Sequence, residues 1–168
     1  MQPAFSVIFL TTLIGAAQGL FLALYGTEVS GLGMLGAQES HKFLFIGSLV
    51  ALVLTALGLF ASFFHLGHPE RAWRSAAMWR TSWLSREVIA LPVFMAGLFI
   101  YGSAHWLGLD STKWIGALTV LACLTLFVST AMIYASVRFL QEWASPLTLV
   151  NYLLLGCASG LTLATALA

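Results

Sequence analysis

Residues 43–64 read FLFIGSLVALVLTALGLFASFF, a stretch with no charged side chain. As a helix it is long enough to cross the hydrocarbon core of a bilayer, which takes about 20 residues. Lys42 precedes it, and the next charge after it is Glu70. The rest of the chain is punctuated in the same way, with charge-free runs at 1–27, 43–69, 88–109, 114–137 and 143–168. Lipid offers a backbone no hydrogen bonds, so runs of this length must be helices. Barrel strands are shorter and alternate apolar with polar residues. The pattern predicts an all-α integral membrane bundle, one domain over 1–168. Its five transmembrane helices fall near 4–25, 43–64, 87–107, 115–137 and 146–167, with an interfacial connector at 65–86. The first run has no basic residue near Met1 and is too long for a secretory signal, so it reads as a span.

Composition agrees. Of 168 residues, 60% are hydrophobic and 8% charged, 7 Lys+Arg against 6 Asp+Glu. A soluble domain of this length carries about 42 charges. A water-soluble monomer is excluded, and so is disorder, which requires low hydrophobicity and high charge. A net charge of +1 provides no field to attract nucleic acid. Cys123 and Cys157 stand alone in apolar runs, which suits neither a disulfide scaffold nor a zinc site. All six Trp lie near run ends, where an amphipathic ring fits the membrane interface. Arg71, Arg74, Arg80, Arg86 and Arg138 fall on one side of the bundle and Lys42 and Lys113 on the other. The positive-inside rule then places the Arg-rich connector and the N-terminus in the cytoplasm.

The connector is where the chemistry concentrates. Gly67 suits a left-handed cap on the second span. Pro69 suits the first position of a short interfacial helix over 69–78, with Glu70 at its N-terminal end and Arg74 one turn on. Ser82 or Ser85 can cap the third span. Pro92 has no N–H for the Val88 carbonyl, which predicts a kink near Glu87. His65 ends one span and Glu87 begins the next on the same membrane face, so both can address one cavity. A His that titrates near neutral pH and a buried carboxylate are groups that quinone chemistry, with its coupled protons and electrons, can use. The plainer readings are a His65 ring lying in the headgroups, a Glu87 that merely opens a helix beside Arg86, and arginines that serve only as anchors.

The segment His65-Leu66-Gly67-His68-Pro69-Glu70-Arg71-Ala72, followed by Ser85-Arg86-Glu87, resembles the membrane-anchor subunit of the dimethyl sulfoxide reductase family. The resemblance in hydropathy covers all five spans. It implies a haem-free, quinone-reactive subunit that takes menaquinone or ubiquinone as an exchangeable partner. It also implies that the subunit fastens a four-cluster iron–sulfur protein and a molybdopterin catalytic subunit to the bacterial inner membrane. Iron–sulfur clusters and molybdopterin then belong to those partners alone. The family's implicated His and Glu match His65 and Glu87. Arg71, Ser85 and Arg86 complete the expected quinone-binding set, and Arg71, Arg74 and Arg80 form the expected docking surface for the iron–sulfur subunit. No residue of this chain is expected to be catalytic or to bind a metal. Family members ordinarily have eight spans, so the chain reads either as a partial chain or as a short variant that completes its bundle with another subunit. Cytoplasmic arginines favour a cytoplasmic catalytic arm, as in the sulfite-oxidising relatives.

Three rivals stand beside this reading. A purely structural anchor would have no quinone site. A small transporter would show broken helices or mid-depth charges, and only Pro92 hints at a break. A haem b anchor needs facing His pairs; His41 and His105 share the face opposite the connector, but no His lies mid-span. Gly15 and Gly19, with Thr11 and Gln18 on nearly the same face, suit close helix packing, and the lesser reading puts Gln18 in the quinone pocket.

Overall fold

The structure is a computed structural model that describes residues 5–31, 37–63, 69–137 and 141–168, without the side chains of 37 and 69–72. It consists of α1 (Phe5–Ser30), α2 (Ala37–Phe63), a 3-10 helix (Pro69–Met78), α3 (Trp83–Trp106), α4 (Thr112–Ala135) and α5 (Pro146–Leu167). Five of these helices are long and apolar enough to cross a membrane. The expected bundle is what forms, and the interfacial helix keeps its expected bounds of 69–78 in 3-10 geometry. Some helix ends depart from the charge boundaries. α2 begins at Ala37 and carries Glu39, His41 and Lys42 on its first turns. A charge marks the edge of the hydrocarbon, whereas a helix can continue through the headgroup layer. His65, Gly67, His68 and Arg138 lie outside the described residues, as do the side chains of Glu70 and Arg71.

Local signals account for several ends. Ser82 caps α3, its hydroxyl accepting from the Ser85 N–H at 3.4 Å. Ser145 does the same for α5 through the Leu147 N–H, with Pro146 opening the helix. Gly108, at φ +65°, ends α3 in the left-handed conformation that a Cβ disfavours. α3 is continuous through Pro92.

Successive helices alternate direction. α1 packs on α2, α4 and α5, while α3 packs on α2 and α4. Phe21 is at the centre, edge-on to Phe94 at 5.9 Å and to Tyr101 at 5.4 Å between ring centroids. The interior is apolar with polar groups set into it, and the outer surface is apolar as well. Gln18, Ser48, Thr55, Thr119 and Ser129 are buried, while Phe9, Leu49, Val53, Phe99, Leu118 and Leu155 are exposed. Trp79, Trp106, Trp114 and Trp143 are exposed near helix ends, and Trp73 is exposed within the 3-10 helix. Gln18 sits inside the bundle, donating to the Cys123 carbonyl at 3.0 Å, so it ties α1 to α4.

α5 is the outlying helix, and glycines attach it. A Cβ on Gly19 would overlap the Gly156 carbonyl oxygen, and one on Gly160 would overlap the Gly19 carbonyl carbon. Gly15-x-x-x-Gly19 therefore meets a matching Gly156-x-x-x-Gly160, and the two backbones pack directly, as small residues allow in lipid.

Candidate functional site

The α1 N-terminus, the 3-10 helix, the start of α3, the end of α4 and the start of α5 share one end of the bundle. Glu87 lies there, in the second turn of α3, with 8% of its surface exposed. The Thr130 hydroxyl of α4 donates to Glu87 Oε1 at 2.6 Å. Tyr134 of α4 and Tyr152 of α5 lie within electrostatic reach of the carboxylate. Tyr152 also donates to the Thr11 carbonyl of α1 at 3.2 Å. Groups from α4 and α5 thus surround the buried acid of α3, and Tyr152 ties α1 to them. A lone carboxylate is costly to place at this depth, and its surroundings are polar as that cost requires.

Beside it, a cleft of about 710 Å³ opens between the start of α3 and the end of α4, lined by Thr81, Trp83, Leu84, Met132, Ile133 and Ser136 among others. Such a volume is within the range of small-molecule sites, about 300–1,000 Å³. Trp83 and Leu84 are one turn before Glu87, and Ile133 is one turn after Thr130.

The connector is fastened to α3 by the neighbours of Glu87. The Ser85 hydroxyl donates to the Ser75 carbonyl. Arg86 donates from Nε to the Trp79 carbonyl at 3.0 Å and from Nη2 to the Arg80 carbonyl at 2.9 Å. Its guanidinium carbon also lies 4.1 Å from the centroid of the Trp83 ring. Ser85 and Arg86, both in the expected quinone-binding set, therefore direct these polar groups at the connector backbone. Arg74 and Arg80 are exposed. The backbone of Arg71 is in the same 3-10 helix. His65, the other half of the expected His–Glu pair, is outside the described residues.

Thr130, Tyr134 and Tyr152 stand at this site with no motif in the sequence to single them out. At the opposite end, His41 and His105 do meet, Nδ1 to Nδ1 at 3.0 Å. As they stand, the rings touch and leave no room for an iron atom between them.

The profile of the DMSO reductase anchor subunit (DmsC) family matches residues 1–168. The chain is 57% identical over 179 residues to the C subunit of the sulfite dehydrogenase of Allochromatium vinosum, an alignment covering 99% of this chain and 55% of that protein. The chain thus spans about half the length of this curated relative. No solved structure matches it. With the family profile matched from end to end and more than half its residues shared with a curated relative, the chain belongs to the DMSO reductase anchor subunit (DmsC) family.

Proposed function

We propose that the chain is the quinone-reactive membrane anchor of a molybdopterin and iron–sulfur oxidoreductase. The observation that carries this reading is the buried Glu87 carboxylate, held by Thr130 at 2.6 Å and one turn from an open cleft of about 710 Å³. Quinone reduction consumes two electrons and two protons, and quinol oxidation releases them. The electrons pass between the quinone and the nearest cluster of a four-cluster iron–sulfur partner. Glu87 holds or delivers a proton at a quinone oxygen, and His65 is the second proton carrier. Thr130 fixes the carboxylate, and the cleft admits the head group from the lipid side. Ser85 and Arg86 act by holding the connector over the site. Arg71, Arg74 and Arg80 present positive charge to an acidic face of the partner. The name of the Allochromatium relative, together with the arginine-rich connector, favours a cytoplasmic catalytic arm in the inner membrane that oxidises sulfite and passes electrons to quinone.

A photoreactive quinone analogue added to the assembled complex tests this reading. Labelling of peptides carrying 81–87 and 130–136, displaced by excess quinone, is expected. Labelling confined to other subunits, or to the Lys42 and Lys113 end, leaves this chain a structural anchor.

A further inference from the structure

The end of the bundle opposite Glu87 holds a second polar cluster. Glu28, on the last turns of α1, turns inward with 7% of its side chain exposed. Tyr101 of α3 donates to Glu28 Oε2 at 2.6 Å, and Thr112 of α4 donates to Oε1 at 2.5 Å. His105 of α3, whose side chain is 2% exposed, points Nε2 at Glu28 Oε1 from 3.7 Å. That nitrogen has no hydrogen-bond partner among the described residues. The other ring nitrogen, Nδ1, is the one 3.0 Å from Nδ1 of His41, which is half-buried on α2. Tyr101 packs edge-on against the His105 ring, with centroids 4.6 Å apart.

A buried nitrogen left unpaired costs about 1–3 kcal/mol in a purely structural cluster. The order of groups has a different logic. An Nδ1···Nδ1 contact requires one ring to donate and the other to accept, and neutral imidazole can do either. His41 is the member nearest water, and His105 and the Glu28 carboxylate lie behind it, with side chains 2% and 7% exposed. Glu28 and His41 face opposite edges of the His105 ring, so the three do not converge on a point where one metal ion could bind all of them.

We propose that His41, His105 and Glu28 form a proton relay between the water at the start of α2 and the buried Glu28 carboxylate. A proton arrives at Nε2 of His41, and the Nδ1 proton of His41 passes to Nδ1 of His105. The Nε2 proton of His105 then passes to Glu28 Oε1 once the 3.7 Å gap closes to hydrogen-bond length or one water bridges it. Each ring gains a proton at one nitrogen and gives one up at the other, and no electron moves. The remaining charged and titratable groups at this end are Tyr25 on α1, Glu39 and Lys42 on α2, Asp110 in the α3–α4 turn, and Lys113 on α4. Tyr25 donates to the Lys113 carbonyl at 3.2 Å, and Glu39, Lys42, Asp110 and Lys113 are exposed. The relay is independent of the Glu87 site.

The full chain in lipid nanodiscs, labelled with 15N-histidine, provides the test, since it contains only four His. The quantity read is the rate at which the His105 ring protons exchange with water. His41→Phe should slow it by about a hundredfold, the low end of what a positioned proton carrier contributes. His41→Gln, which keeps a polar contact to His105 and the fold but cannot relay, should slow it equally. Imidazole in the buffer should restore exchange to His41→Ala, and Lys42→Ala should exchange like the parent. Parental exchange in His41→Phe or His41→Gln, or no recovery with imidazole, overturns the relay.

Discussion

Glu87 and Thr130 form a pair whose two members are not equally visible in the chain. An ionisable residue at the start of an apolar run attracts notice because lipid makes it costly. A Thr inside such a run has a local alternative, which is to return its hydroxyl to the carbonyl four residues back. Thr55, Thr119 and Thr125 do this, whereas Thr130 spends its hydroxyl on another helix. Nothing in sequence spacing separates the two uses. Thr130→Val should leave a buried carboxylate oxygen short of a donor, costing about 1–3 kcal/mol of stability. Thermal unfolding in detergent checks this, with Thr125→Val, at an exposed position, as the near-neutral control. In the sequence Glu28 only marks the end of a charge-free run, and its inward turn is visible once Tyr101 and Thr112 stand around it.

At the scale of elements, half of the α1–α5 seam is legible in the sequence. Gly15 and Gly19 signal close packing, but their spacing does not point to the matching pair in the last span. A GxxxG face does not name its partner; that takes the fold. Gly19→Leu or Gly160→Leu should push α5 off α1, at a cost of about 1–3 kcal/mol or more. Loss of a cysteine crosslink engineered between the two helices would report it. Gly26→Ala is the counter-case, since a Cβ there meets nothing within 4 Å. It should be neutral or stabilise by about 0.5–1 kcal/mol. The connector offers a third case. Arg86→Ala removes two charge-assisted hydrogen bonds to its backbone. Faster protease cleavage within residues 74–81 is expected, while Arg74→Ala, at an exposed position, should leave cleavage unchanged.

For the whole molecule, the distribution of charge says more than any single contact. Thirteen charged residues set the spans, the two ends of the bundle and the orientation proposed for it. If the connector is cytoplasmic, Arg74→Cys in a Cys123→Ala/Cys157→Ala background should resist an impermeant thiol reagent in intact cells and react in inverted vesicles. Docking through arginines implies that Arg74→Glu/Arg80→Glu weakens retention of the iron–sulfur subunit, and that added salt weakens the parent complex in the same direction. Retention at parental strength would move the docking surface elsewhere. Proton handling by Glu87 for quinone is measured by steady-state turnover of the intact complex carrying Glu87→Gln. Quinone-linked kcat/KM should fall about a hundredfold or more, with artificial-dye turnover and the make-up of the complex unchanged. Parental quinone kinetics in that variant would contradict it.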